Sequence, residues 1–299
     1  MRPASLLPAR HRLTTAWFHG CWLYGNLGIG LVWGLPNLTW QRSLASVGLM
    51  VLTVGLGHAV GLHRGIIHRA FQTSRFWRGT LAYLSVLAGV GGPIAWLKSH
   101  YYRDYWQNQP ASPAYFRYDH PIWQDYHWNH HLALHSDDDA RYDIPPADLH
   151  DPWLVWLEKT WLLHILALAG LVWLGFGFEA MAAVMCLRMA LTMLGHWFVT
   201  YVSHTSGYAR YHVAGAAESG YNNLLLGVLS FGEGFHNTHH AHPRSARMGT
   251  SWYELDLGWL LVRGMEALGL VWAVEAAGRT ATQKPQAEVQ PTRRWPWAA

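Results

Sequence analysis

The sequence predicts an all-α integral membrane protein, with four transmembrane helices and a cytosolic helical cap. Three observations carry this. The 299-residue chain is 51% hydrophobic and only 13% charged, about half the charged fraction of an ordinary soluble domain. Its apolar residues gather into runs of bilayer length. Its 20 histidines outnumber its 18 acidic residues, and they cluster at the ends of those runs. Neutral imidazole is the commonest metal ligand, so the cap is expected to hold a di-metal site. The 19 Trp and 14 Tyr suit anchoring at the bilayer interfaces. The mean hydropathy is only +0.01, so long polar stretches must lie outside the bilayer.

Crossing the hydrocarbon as helix takes about 20 mostly apolar residues. Four segments qualify: 15–35, 44–62, 161–178 and 180–202. Pro36 and Asn37 make the first return turn, and Gly175 and Gly177 mark the third. Small residues four apart, Gly30/Gly34 and Gly57/Gly61, suit close helix packing. A fifth apolar run, 80–97, is interrupted by Gly89, Gly91, Gly92 and Pro93. If it crossed, His63 and His68 would lie on the opposite side of the membrane from His100. It therefore reads as a re-entrant or interfacial helix, with a fifth span as the alternative.

Four spans leave both termini and the polar regions 64–78, 98–159 and 203–279 on one side. That side carries nearly all the Lys and Arg, so the positive-inside rule makes it cytoplasmic. Arg2, Arg10 and Arg12 precede the first span, which reads as uncleaved, and the expected location is a bacterial inner membrane. Residues 1–279 form a single domain in this reading, and 280–299 a mobile polar tail. Cys21 and Cys186 both sit in apolar runs, as small buried hydrophobes do. Two cysteines exclude cysteine-ligated zinc and iron–sulfur sites. The mild net charge of +4 marks a basic cytoplasmic face, and nothing resembles a nucleic-acid module.

Three histidine groups stand out. The first is His63-Arg-Gly-Ile-Ile-His68-Arg69. The second is diffuse, with His100 in Lys98-Ser-His-Tyr-Tyr-Arg-Asp104, then His127-Trp-Asn-His130-His131. The third is Gly232-Glu-Gly-Phe-His236-Asn-Thr-His239-His240. Positions i, i+3 and i+4 share one helix face, so His236, His239 and His240 can point into one cavity, as can His127, His130 and His131. His196, Thr200 and His204 form an i, i+4, i+8 row at the end of the fourth span. Nitrogen ligands suit iron. Soluble carboxylate-rich di-iron bundles use paired Glu-x-x-His motifs, and zinc hydrolases often use H-E-x-x-H; neither occurs here. His11, His19, His58 and His164 read as interface or core residues.

His63-x-x-x-x-His68-Arg69 with Phe71, and Gly232-Glu-Gly-Phe-His236-Asn-x-His239-His240-x-x-Pro243, resemble the membrane fatty-acid desaturase family, with its bacterial acyl-CoA desaturase-like branch nearest. The segment Ser245-Ala-Arg-x-Gly249 followed by Trp252-Tyr-Glu-Leu-Asp-Leu-Gly-Trp259 is similar too, so the resemblance covers about Gly57 to Trp272. It implies a four-helix stem and a cytosolic cap holding two irons. His63, His68, His236, His239 and His240 carry over as ligands, and His204 matches a ligand just after the fourth span. The family's second box reads H-x-x-H-H. Here His100 stands at its first position, with Arg103 and Asp104 in place of the other histidines. His100 is the expected ligand, Asp104 a further candidate, and His131 in the literal H-x-x-H-H at His127, His130 and His131 the next choice. Thr200 stands where an asparagine orders a metal-bound water. Glu233, Asp104 and the Asp137–Asp139 run are candidates to orient the imidazoles, and Trp96, Trp106 and Trp123 to line an acyl tunnel. His196 completes the candidate set.

The resemblance implies O2-dependent desaturation of a fatty acyl chain, as acyl-CoA or acyl-lipid, on two Fe2+ ions. Electrons would come from a separate ferredoxin, rubredoxin or cytochrome. Hydroxylation, or oxidative decarboxylation to a terminal alkene, is the alternative on the same irons. A metal transporter or sensor is the alternative of a different class. Transport predicts ionisable residues at mid-membrane, whereas these boxes lie at span ends.

Overall fold

The computed structural model describes residues 5–277 and the backbone of 289–291. The tail expected to be mobile, 280–299, otherwise lies outside the described residues. Helix dominates. Three helices are long and apolar enough to cross a membrane: α2 (Trp40–Ile67), α6 (Pro152–Phe176) and α7 (Phe178–Thr205). The first expected span is helical too, from α1 (Trp17–Ile29) through a π-helical segment, Gly30–Gly34, and a final tight turn, Leu35–Asn37. Shorter helices include α3 (Arg75–Val86), α4 (Pro93–Gln107), α5 (Ile122–His131), α8 (Leu224–Leu229), α9 (His236–Ala241) and α10 (Leu257–Ala267).

Capping explains where helices extend past their apolar runs. The α6 helix begins at Pro152, nine residues before its apolar run, because the Asp151 carboxylate accepts from the Trp153 and Leu154 amides and proline suits the first helical position. Thr39 caps α2 in the same way, accepting from the Arg42 amide. Three antiparallel strand pairs, which the all-α expectation lacks, tie the chain together, and no closed sheet forms among the described residues. They pair β1 (His11–Thr15) with β3 (Leu132–Ser136), β2 (Gln72–Thr73) with β5 (Val271–Trp272), and β4 (Tyr211–Val213) with β6 (Val289–Pro291). The first ladder runs from His11 opposite Ser136 to Thr15 opposite Leu132.

The spaced glycines mark close helix approach. A Cβ on Gly30 would lie 2.7 Å from Leu187 Cα, and one on Gly57 would lie 2.4 Å from the Leu84–Ser85 peptide. So α1 packs on α7, and α3 on the second half of α2, backbone against backbone.

The 80–97 run does not continue as one helix. It folds into α3, a turn at Leu87–Gly92 and the start of α4, with Gly89 and Gly91 at positive φ. The polar backbone groups of that turn are paired with other parts of the protein. Trp22 Nε1 donates to Gly89 O at 3.0 Å, Trp96 Nε1 to Val90 O at 3.1 Å, and the buried Arg188 guanidinium to Leu87 O at 3.1 Å. Glu158 Oε2 accepts from the Ile94 and Ala95 amides at 2.8 and 3.1 Å, at the start of α4. That anchored turn aims α4, and therefore His100, back toward the end of α2.

Candidate metal centre

Seven histidines gather into two adjoining groups at one end of the bundle. His63, His68, His100 and His239 form one; His204, His236 and His240 form the other. Within each group one ligand nitrogen from every ring lies within 4.8 Å of the rest. These are the seven residues that the sequence puts forward first.

The local fold explains the convergence. His63 and His68 are five residues apart, which on an α-helix would separate them by about 140°. The end of α2 is instead π-helical, with the His68 amide bonded to His63 O at 3.0 Å. An i→i+5 pattern puts residues five apart roughly one turn apart, so both rings face the same way. His68 Nε2 is 3.2 Å from His63 Nε2 and 3.4 Å from His100 Nε2. Two nitrogens bound to one ion at ~2.1 Å, about 90–110° apart, would themselves be about 3.0–3.4 Å apart. On α9 the i, i+3, i+4 spacing splits as the rings require. The His239 ring centroid lies 4.7 Å from that of His63 and 4.6 Å from that of His68, while His236 and His240 lie 4.6 and 5.3 Å from His204.

Residues inside the boxes that were not put forward as ligands hold these rings. Asn237, wholly buried inside the third box, donates to Tyr211 O and Ser219 O, both at 2.9 Å. Its Oδ1 accepts from the Arg210 and Tyr211 amides at 2.7 and 2.8 Å, which fixes α9 against β4. Arg64, wholly buried between the two histidines of the first box, donates to Ala246 O, Phe231 O and Asp256 Oδ1 at 2.9, 2.7 and 3.2 Å. It locks α2 to the turn that leads into α9. Gly232 in that turn has φ 97°, and a Cβ there would meet Asp256 at 2.2 Å. An arginine next to a histidine, and an asparagine inside a histidine box, were the available sequence signals.

The donors are in the right chemical state. Burial pushes His236 down to about 3 and His240 down to about 4, and lowers His68 and His239 as well. These imidazoles are therefore neutral at pH 7 and offer a lone pair. Glu233 Oε2 sits 2.6 Å from His63 Nδ1, which favours the proton on Nδ1 and leaves Nε2 for a ligand. His204 Nδ1 pairs with Thr200 O at 2.8 Å, and its buried Nε2 has no protein hydrogen-bond partner. The Tyr118 ring stacks on His204 at 4.1 Å. Burial raises Glu233, opposed by the Arg64 guanidinium. Burial acts to raise Asp104 too, but the imidazoles of His100, His68 and His240 outweigh it and hold the carboxyl well below its usual range.

The other candidates lie elsewhere. His127, His130 and His131 share a face of α5, but outside both groups. His131 Nε2 is 2.8 Å from the Tyr24 hydroxyl, His130 Nδ1 is 3.4 Å from His19 Nε2, and His127 stacks on His131. His196 packs edge-on against Trp96 and His58, with ring centroids 4.4 and 4.7 Å away. The Thr200 hydroxyl donates to His196 O at 2.9 Å. In the Asp137–Asp139 run, Asp139 is tied to Lys98 Nζ at 2.6 Å and to the Tyr102 hydroxyl. Trp106 bonds Tyr142, and Trp123 is 72% exposed.

Residues 42–274 match the family model described as fatty acid desaturase. The chain belongs to the fatty acid desaturase family. It is 32% identical over 248 residues to the sn-1 stearoyl-lipid 9-desaturase of Anabaena variabilis, covering 81% of this chain and 87% of that protein. It is 30% identical to Delta-9 acyl-lipid desaturase 1 of Arabidopsis thaliana, over 80% of this chain and 77% of the relative. An acyl-CoA 5-desaturase of Anemone leveillei is 26% identical, over 88% and 80% of the two chains. These relatives are desaturases and so oxidoreductases, and this desaturase-family chain is an enzyme of that class.

Proposed function

We propose that the protein desaturates a saturated fatty acyl chain, as acyl-lipid or acyl-CoA, using O2 and two Fe2+ ions held by its seven histidines. The observation that carries this is the pairing of two adjoining imidazole groups whose nitrogens stand at ligand spacing. The donor set fits iron, being nitrogen-rich and neutral. His63, His68, His100 and His239 hold one ion, and His204, His236 and His240 the other. The bound irons supply the oxidising power that takes hydrogen from an unactivated methylene. The chain's own residues do the rest. Glu233 and Arg64 fix the His63 ring, Asn237 fixes α9, and the α3–α4 turn fixes His100. Trp96, half-buried between the histidines and the membrane-embedded turn, is placed to guide an acyl chain.

The proposal extends to topology. Four spans, α1 with α2, α6 and α7, form the stem, and the residues between and after them form a cytosolic cap in a bacterial inner membrane. Electrons come from a separate ferredoxin, rubredoxin or cytochrome. The presence of both acyl-lipid and acyl-CoA desaturases among the relatives supports an acyl substrate and leaves both carriers in play.

Metal analysis tests the reading. Full-length protein loaded anaerobically with iron should hold two irons per chain, and His236→Ala should hold fewer. One zinc and no iron would overturn the assignment. Both termini should lie in the cytoplasm, and a C-terminal reporter active only in the periplasm would refute the four-span stem.

A further inference from the structure

Residues 257–272 lie after the fourth span, in the region expected to be polar cap. Yet their only charged side chains are Arg263 and Glu266, and these pair with each other. We propose that α10, with Trp272 beyond it, is seated in the cytosolic leaflet of the bilayer, its outward face against lipid acyl chains. This rests on the four-span reading above and goes beyond it, because part of the cap becomes a lipid-binding surface.

The helix is apolar on two sides. Gly258, Val262 and Met265 are buried, and Val262 and Met265 share a cluster with Val60 of α2 and Leu81 of α3. On the other side Leu260, Gly264, Ala267 and the C-cap Leu268 are exposed, Leu260 at 54% and Leu268 at 74%. Their i, i+4, i+7, i+8 spacing makes one stripe, and it carries no polar side chain. A helix face turned to water is ordinarily polar, so this stripe calls for an apolar neighbour.

Depth identifies that neighbour as lipid. About 20 helical residues fill the hydrocarbon, and counted from Trp40 at the start of α2 they reach past Gly55 and Leu56. A Cβ on Gly55 would lie 3.2 Å from Leu261 Cδ1 of α10, and Leu56 packs on the cluster that holds Val262 and Met265. So α10 lies beside the cytosolic end of a span. Its 11 residues make a helix about 16 Å long, too short to cross, but suited to the boundary where amphipathic helices sit about 5–10 Å deep. Trp272 is half-exposed, and its Nε1 donates to Gln72 Oε1 at 2.9 Å, which gives the apolar body and polar tip of an interfacial anchor. A protein partner would find no charged group on the stripe to fix its orientation.

The seat is coupled to the proposed metal centre. Asp256 caps α10, accepting from the Trp259 amide at 2.8 Å, and also accepts from Arg64 at 3.2 Å. The Gly258 amide donates to Phe231 O at 3.2 Å. The lipid-seated helix therefore holds the turn that leads into α9 at a fixed height above the bilayer.

Nitroxide accessibility in vesicles tests this. The full-length chain carrying Cys21→Ser and Cys186→Ser is reconstituted in phosphatidylcholine–phosphatidylglycerol vesicles, with one spin label at Leu260→Cys or Leu268→Cys. Both side chains are exposed, so cysteine there usually costs within about 0.5 kcal/mol. Power saturation compares collisions with O2, which concentrates in lipid, and with a water-soluble nickel chelate. Leu171→Cys on α6 and Asp119→Cys, both exposed, supply the lipid and water references. Labels at 260 and 268 should meet O2 several-fold more than the chelate, as at 171. Labels at 260 and 268 that behave as at 119 would overturn the proposal. So would labels shielded from both reagents: release on deleting residues 278–299 would make the chain's own tail the occupant, and continued shielding would make it a protein surface. A label at 171 that behaves as at 119 would instead overturn the four-span stem.

Discussion

Glu158 is a sharp test of how the Leu87–Gly92 turn supports the proposed metal centre. It lies on α6, far in sequence from the turn, yet its Oε2 accepts from two backbone amides at the start of α4 at 2.8 and 3.1 Å. Each is a charge-assisted bond of about 1.5–3 kcal/mol, and a carboxylate at a helix start adds about 0.3–1 kcal/mol. The side chain is only half-buried, so solvent reduces these values, and a net cost of about 2–4 kcal/mol is expected for Glu158→Ala. Glu158→Gln keeps an oxygen acceptor and loses the charge, so about half that cost is expected. At roughly 2–4 °C per kcal/mol for a domain of this size, the alanine variant should unfold about 5–15 °C lower in detergent. Because α4 carries His100 two turns further on, both variants should also weaken iron binding. Unfolding within about 1 °C of wild type, with unchanged iron content, would refute the claim that this carboxylate anchors the turn.

Other outcomes follow from the same geometry. His100→Ala should lose iron and turnover while still inserting in the membrane. His127→Ala should keep both, because its ring is exposed and surface changes usually cost within about 0.5 kcal/mol; the reverse pattern would move the second box to α5. Glu233→Gln should lower iron affinity about 10–100-fold, measured by competition with a chelator, and unchanged affinity would remove Glu233 from the support of His63. Burial raises Glu218 to about 7, above its ordinary value, so its ionisation costs the folded state stability as pH rises from about 4.5 through 7. Glu218→Gln should therefore raise the unfolding temperature at pH 8 and leave it unchanged at pH 4, and an equal effect at both would contradict the buried-carboxyl account.

The long apolar runs were legible in the sequence because burial in lipid needs nothing but length and apolarity. Their ends were less legible, because caps such as Asp151 carry α6 through a polar stretch that hydropathy ignores. The turn inside 80–97 was legible from its glycines and Pro93, but not its anchors, since Trp22, Glu158 and Arg188 are brought to it by packing alone. The third box could be read from helical periodicity. The first could not, because a spacing of five converges only through the π-helical end of α2, and nothing in His63-x-x-x-x-His68 announces that geometry. Strand β1 was hidden in a short basic segment that pairs with residues 132–136, more than a hundred positions away. The roles of Arg64 and Asn237 became visible only when their buried partners were in place.

Product analysis tests the central claim most directly. Purified protein, reconstituted with iron, an electron carrier and O2, should convert a saturated acyl substrate to one two mass units lighter, with a double bond within the chain. His236→Ala should leave the substrate unchanged. A product sixteen mass units heavier, a terminal alkene one carbon shorter, or unchanged substrate from protein carrying two irons would contradict desaturation.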